Sequence, residues 1–217
     1  MKKSTVHLFV FDTMSDWEYG YVVGAINNPQ LQRAPGRFQI KAAALRDKPV
    51  TTAGGLRVTA DVTLDEVQPA NSAMLVLPGG AYWDQNKGRE AAQLAAEFVG
   101  KAIPVAAICG ATLGLARAGL LDAVPHTSNS KDYIAASGYS GSAFYRDKRA
   151  VRAKGLITAS GVSPLEFARE VFAELGLYSA GVLSAVSPLQ DRPGKVFQAV
   201  DGGSQCLTSP GGQPRRF

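Results

Sequence analysis

The stretch from Val105 to Gly114 holds the residue best suited to chemistry. An apolar run, Val105-Ala106-Ala107-Ile108, stops at Cys109. Gly110 follows, and a helical pattern then begins with Ala111, Leu115 and Ala118. Ala107 and Ala111 place a small residue two positions to either side of the cysteine. This is the order of a nucleophile elbow, in which a strand feeds a sharp turn, the turn feeds a helix, and the apex side chain is presented for reaction. Small neighbours are needed because strand and helix nearly touch there. A helix N-terminus beneath the apex favours a thiolate, since its unpaired N–H groups and dipole stabilise negative charge. The competing reading is a buried structural cysteine, because free Cys is among the most buried residue types.

A second run, Ala73 to Leu77, ends in Pro78-Gly79-Gly80. Lacking side chains, Gly79 and Gly80 can bring backbone N–H groups close to an oxyanion, and the N–H of Gly110 supplies a further donor. The same tripeptide also reads as a plain turn. Tyr82 and Trp83 follow it, either walling a pocket or simply packing.

The elements that must position these residues can be read in order. Val6 to Phe11 is a compact β-branched and aromatic run, a buried strand by its pattern. Ser15 or Asp16 caps a helix that runs to about Asn27 and stops at Asn28-Pro29. Phe38 to Leu45 reads as a strand, and Val50 to Thr59, with Gly54-Gly55 inside it, as a hairpin. Ala91, Leu94, Ala95, Phe98 and Val99 fall on one face of a helix spanning Arg89 to Lys101. Lys131 to Ala136 reads as a short helix, and Leu156 to Ala159 as a strand ending at Ser160-Gly161. Pro164 opens a helix that Gly176 stops. Strands alternating with helices predict an α/β fold, a mainly parallel sheet with helices on both faces. Sites in such folds lie at the carboxyl ends of the strands.

The chain has 217 residues, 46% hydrophobic and 19% charged, with a formal charge of +5. These values fit one globular domain over residues 1–185. Residues 186–217, rich in Gly, Pro, Ser and Gln and without apolar periodicity, read as a loop-like or disordered tail. The basic excess is diffuse, which argues against a nucleic-acid partner. The only cysteines, Cys109 and Cys206, show no C-x-x-C pair and no ligand spacing, so neither a zinc site nor a disulfide framework is expected. The N-terminal apolar run is too short and too polar for a signal peptide or a membrane span. The expected compartment is the cytoplasm, where a free thiol stays reduced.

Taken together, Phe11-Asp12 with Asp16-Trp17-Glu18, Leu77-Pro78-Gly79-Gly80, Ala107-Ile108-Cys109-Gly110-Ala111, His126-Thr127 and Ile157-Thr158-Ala159-Ser160-Gly161 form an ordered set. The set resembles the ThiJ/PfpI (DJ-one) superfamily over about Val6 to Ala185. The resemblance implies a flavodoxin-like three-layer sandwich related to class I glutamine amidotransferases, and commonly a homodimer. It implies no cofactor and no metal. Glu18 matches the family's carboxyl beside the cysteine. Protonated, such a group donates to a thiolate and can then exchange a proton with substrate; the plain alternative is a first-turn acid stabilising its own helix. His126 matches a family histidine near the nucleophile, a general base or an orienting group, against the alternative of a histidine holding a neighbouring strand. Asp16 is a second carboxyl near the site and reads as a helix cap.

The sequence departs from the family at two places. Many protease-like members have a histidine directly after the cysteine, where this chain has Gly110, which argues against peptidase activity. After Ala185 the family's last helix usually continues into an aromatic-rich end, and here it does not. The implied function is a cysteine-dependent enzyme acting on a small activated carbonyl, amide or isonitrile substrate, of glyoxalase, hydrolase or hydratase type. The alternatives are a redox-sensing stress-response protein or chaperone using an oxidisable Cys109, and a binding domain without turnover.

Overall fold

The structure, a computed structural model, describes residues 3–185. The tail expected over 186–217 lies outside the described residues, Cys206 with it. Nine strands and seven helices alternate along the described chain: β1 (Ser4–Phe9), α1 (Asp16–Asn27), β2 (Phe38–Ala44), β3 (Val50–Thr51), β4 (Arg57–Val58), β5 (Val62–Thr63), β6 (Ser72–Leu77), α2 (Ala81–Asp84), α3 (Arg89–Gly100), β7 (Val105–Ile108), α4 (Gly110–Arg117), α5 (Lys131–Ala135), β8 (Ala150–Ala153), β9 (Leu156–Ala159), α6 (Pro164–Leu175) and α7 (Ala180–Ala185).

Seven strands form one sheet in the order β5-β2-β1-β6-β7-β9-β8. All pairs are parallel except β8–β9, which closes one edge antiparallel. The register sets Val6 opposite Ile40 and Met74, Val76 opposite Ala106, and Ala107 opposite Thr158. The central order is that of a flavodoxin-like doubly wound fold, as expected. Both faces of the sheet are covered, so β6 and β7 carry apolar residues in continuous runs instead of alternating. Every residue of β7 is buried, as are Met74 to Leu77 of β6.

Helices α1 and α6 pack against each other, and α3 packs against α4. Helix α3 turns Ala91, Leu94, Ala95 and Phe98 inward and Gln93 and Glu97 outward, the one-sided pattern its spacing predicts. Helix α4 is different. Gly110 to Ala116 are all buried, so it has no solvent face over that span, and its small residues let it lie close to the sheet. Helix α6 opens with Pro164 and ends where Gly176 takes the left-handed conformation, φ 58°, which glycine adopts without penalty. The short elements β5, α2 and α7 lack a readable period and were not foreseen. The hairpin β3–β4 forms its own two-stranded sheet.

Trp83 is the hub on the α4 side. It is 1% exposed, and its indole N–H donates to the Pro78 carbonyl at 2.8 Å. Its ring sits edge-on to Phe9 and Phe11 and covers Gly88 and Gly114, whose missing side chains make room for it. Trp83 thus packs the core and braces the elbow from behind. Tyr82 stacks at 4.8 Å on Phe11.

This packing sets helix propensity against steric fit at Gly114. In an open helix Gly→Ala stabilises by about 1 kcal/mol. Here a Cβ would overlap Cζ3 and Cε3 of Trp83, and overpacking costs about 1–3 kcal/mol. The clash should win. Gly114→Ala is expected to lower the melting temperature by several degrees, and a rise would show that the indole yields freely.

Candidate active site

Four strand ends converge. β1 runs through Val10 to Asp12 into α1, which carries Glu18. β6 ends at Pro78-Gly79-Gly80, β7 at Cys109, and β9 at Ser160-Gly161. Cys109 has φ 57° and ψ −125°, a conformation an L-residue adopts only when its surroundings impose it. Its N–H donates to Ala159 O at 3.0 Å on one side, and Thr112 donates to its carbonyl through Oγ1 at 2.6 Å on the other. This is the nucleophile elbow. Two glycines make room for its side chain: a Cβ on Gly79 would stand 2.9 Å from Sγ, and one on Gly161 2.8 Å from it.

Glu18 lies in the first turn of α1 with no exposed surface. Its Oε2 accepts the Gly79 N–H at 2.5 Å, while its Oε1 has no partner apart from the thiol beside it. Burial raises the carboxyl pKa to about 7, outweighing the donors Gly79, Cys109 and Ser15. Burial also pushes the Cys109 thiol up, to about 11; the Glu18 charge adds to the rise, and Asn129 and the Gly110 N–H oppose it. The helix N-terminus therefore acts on the sulfur as its sequence suggested, but it does not win. The expected low-pKa thiolate is replaced by a protonated thiol beside a carboxyl that is part ionised near neutral pH.

Several expected site residues have other work. Gly79 gives its N–H to Glu18, so that donor is not free for a substrate oxyanion. Gly80 has φ 151°, and a Cβ there would lie 2.6 Å from the Thr13 carbonyl; it seats the turn against Met14. His126 is fully buried and uses both ring nitrogens elsewhere, Nδ1 with Val124 O at 2.8 Å and Nε2 with the Tyr139 hydroxyl at 2.9 Å. It is not among the partners of Cys109, and burial lowers its pKa. Neither ring bond reaches a neighbouring strand, the plain alternative for this histidine: one goes to the carbonyl two residues before it and the other to a tyrosine beyond α5. Asp16 is not the cap of α1, which is Ser15; its Oδ2 accepts the Gly54 N–H at 2.6 Å. With Asp12, which accepts the Thr51 N–H at 2.8 Å, it moors the β3–β4 hairpin beside the site. Among the described residues no cluster of His, Cys, Asp or Glu could hold a metal ion.

Sequence reasoning misses Asn129. Its Nδ2 donates to the Cys109 sulfur at 3.4 Å, and its Oδ1 accepts the Gly161 N–H at 2.9 Å, so the amide is held in one orientation. Ser128 beside it bonds Thr112 of α4 at 2.7 Å, locking this loop to the elbow. In the sequence Asn129 is one polar residue in Thr127-Ser128-Asn129-Ser130, and nothing local separates it from its neighbours. Gly161 belonged to the quoted motif but carried no role. Trp17, 57% exposed, reaches across to donate its indole N–H to Gly161 O at 3.1 Å.

With this geometry in hand, the chain can be compared with known proteins. A model described as DJ-1/PfpI family matches residues 4–174. The chain is 37% identical over 186 residues to "Uncharacterized protease YoaZ" of Bacillus subtilis (strain 168), covering 84% of this chain and 89% of that protein. It is similar in structure to a thiJ/pfpI family protein from Bacillus anthracis, with TM-score 0.78 and 37% identity, covering 85% of this chain and 89% of the other. It is also similar to the DJ-1 superfamily protein Atu0886 from Agrobacterium tumefaciens, with TM-score 0.76 and 31% identity, covering 84% and 95%.

Two expectations follow from the site. Removing the Asn129 amide should raise the Cys109 pKa further, since that donor favours the thiolate; in Asn129→Leu a shift of about one unit, about 1.4 kcal/mol, should appear in the pH dependence of Cys109 alkylation. An unchanged midpoint would remove Asn129 from the sulfur's environment. The second concerns stability. A carboxyl whose folded pKa is raised from 4.5 to about 7 binds protons more tightly folded than unfolded. Wild-type stability is therefore highest below the unfolded value and falls as pH rises through about 7, by on the order of 3 kcal/mol. Glu18→Gln should flatten this slope and melt above wild type at pH 8.

Proposed function

The chain belongs to the DJ-1/PfpI family, and we propose that within it the protein is a cysteine-dependent hydrolase of a small activated carbonyl or amide compound, with Glu18 as its proton carrier. One observation supports this above all: a fully buried carboxyl with one oxygen unpartnered against the nucleophile and a pKa at about 7. A group so placed can both take and give a proton at neutral pH. The name of the Bacillus subtilis relative, a protease, agrees with amide chemistry, although no side chain at Gly110 supplies the protease-like histidine.

In this reading ionised Glu18 accepts the Cys109 thiol proton on Oε1 as the sulfur attacks the substrate carbonyl carbon. The carbonyl electron pair moves to oxygen, which the donors that surround the sulfur, Asn129 Nδ2 and the Gly110 N–H, would stabilise. Protonated Glu18 returns that proton to the leaving group as the tetrahedral intermediate collapses to a thioester. Water, deprotonated by Glu18, then attacks the thioester carbon and releases the product acid. As the sulfur leaves it takes back a proton from Glu18, which restores the starting pair. His126 has no part in this scheme.

A second reading shares the same atoms. Protonated Glu18, donating through its otherwise unpartnered Oε1, and the two donors around the sulfur would also hold the oxygens of an oxidised Cys109, as a redox sensor requires. The two readings part at turnover. As an enzyme, the protein should hydrolyse activated amide or ester substrates with a rate that rises as pH climbs through about 7, where Glu18 loses its proton. Glu18→Gln should remove that limb and lower kcat/KM by about a hundredfold. Equal rates and equal pH profiles in wild type and variant would overturn the assignment of Glu18. Clean formation of a Cys109 sulfinate under mild peroxide, with no substrate consumed, would favour the sensor.

A further inference from the structure

Beside the elbow lies a cleft of about 970 Å³ that the steps above leave unused. Cys109 itself is not in its wall, but Asn129 belongs both to that wall and to the sulfur's environment, so the cleft adjoins the thiol through this one side chain. Ser160, next to Gly161, lines it too. The charge in it is one-sided. Lys131, Lys148 and Arg149 line the cleft against a single acid, Asp147. Arg149 is answered by Glu166 at 2.7 Å, but Lys131 and Lys148 stand in no ion pair among the described residues. The backbone that carries Lys148 is fixed, because its carbonyl accepts the Thr127 hydroxyl at 2.7 Å. Thr127 is in turn held to β9 by its N–H on Thr158 at 2.9 Å. The lysine therefore projects from a loop tied to the sheet.

Resting on the hydrolase reading above, we propose that the substrate is anionic: its carbonyl meets Cys109 while a carboxylate or phosphate at its far end lies in this cleft between Lys131 and Lys148. Lys131 and Lys148 are exposed to solvent, and the field of two unpaired cations on one cleft both attracts and orients such a substrate. Apolar or cationic compounds gain nothing from this arrangement. Asp147 sets a limit on it, because it opposes a group carrying charge deep on its own side. The selected compounds are small acids whose reactive carbon lies a few bonds from the anion.

The test needs no turnover, so it can fail independently of the hydrolase reading. Cys109 in the full chain is alkylated with iodoacetate, which is anionic, and with iodoacetamide, which is neutral and of similar size. Both rates are read at Cys109 by peptide mass spectrometry. Their ratio cancels any change in the thiol itself. The ratio should exceed that of free cysteine and fall towards it as salt is raised. It should drop about threefold in Lys148→Gln and about tenfold in Lys131→Glu/Lys148→Glu. Inorganic phosphate or acetate should slow iodoacetate selectively, and the one effective at lower concentration identifies the anion as phosphate or carboxylate. A ratio equal in wild type and both variants, or protection by neither anion, would overturn the proposal. The milder Lys148→Gln keeps the test valid if the double variant folds poorly.

Discussion

The rest of the structure depends on the burial of one carboxyl against one thiol. Glu18 is an acid with no exposed surface, and an isolated charge there would be prohibitively unfavourable. The fold tolerates it in two ways. Gly79 presents a backbone N–H to Oε2, and burial lifts the pKa until proton and charge are nearly balanced at neutral pH. In the hydrolase we propose, the stability given up supplies the reactivity. A solvated glutamate at its ordinary pKa is too weak a base to hold a thiol proton. A fully neutral one could not accept it. In that reading the cysteine need not be a thiolate at rest, because its proton already lies beside the acceptor.

Keeping that pair together requires the backbone to come unusually close. Glycine stands at 79 and 161 because any Cβ there would meet the thiol or the carboxyl. Cys109 itself takes the strained apex, held by the bond to Ala159 on the sheet side and by Thr112 on the helix side. The strain is local, and the surroundings that impose it are extensive. Helix α4 is buried along nearly its whole length, and Trp83 fills the space behind it. A rigid core thus fixes the position of one atom, the sulfur, with few degrees of freedom left at the site.

Around this centre, polar side chains fix the loops instead of performing chemistry. Asp12 and Asp16 moor the β3–β4 hairpin through single backbone N–H bonds. Thr127, Ser128 and Asn129 fasten the loop before α5 to β9, to α4 and to Gly161. His126 is bonded at Nδ1 by the Val124 carbonyl two residues back and at Nε2 by Tyr139 beyond α5. Of these residues only Asn129 also reaches the sulfur, since its amide carries a donor and an acceptor on the same plane: one holds the backbone while the other faces Cys109.

The sequence by itself determined the alternation of strand and helix, the elbow at Cys109, the hairpin around Gly54-Gly55 and the boundaries of α1, α3 and α6. These follow from short-range physics: a run of buried apolar residues, a 3.6-residue stripe, a proline at a start and a glycine at a stop. The pairing of Glu18 with Cys109 was suggested by family resemblance, not by spacing, because the two lie on different elements. Three matters were decided only by the tertiary structure. Gly79 serves the carboxyl, His126 bonds Val124 and Tyr139, and Asn129 faces the sulfur. The direction of the thiol's pKa was likewise beyond local reading. A helix N-terminus is visible in a sequence, but the burial that outweighs it depends on how many distant segments close over the same few ångströms.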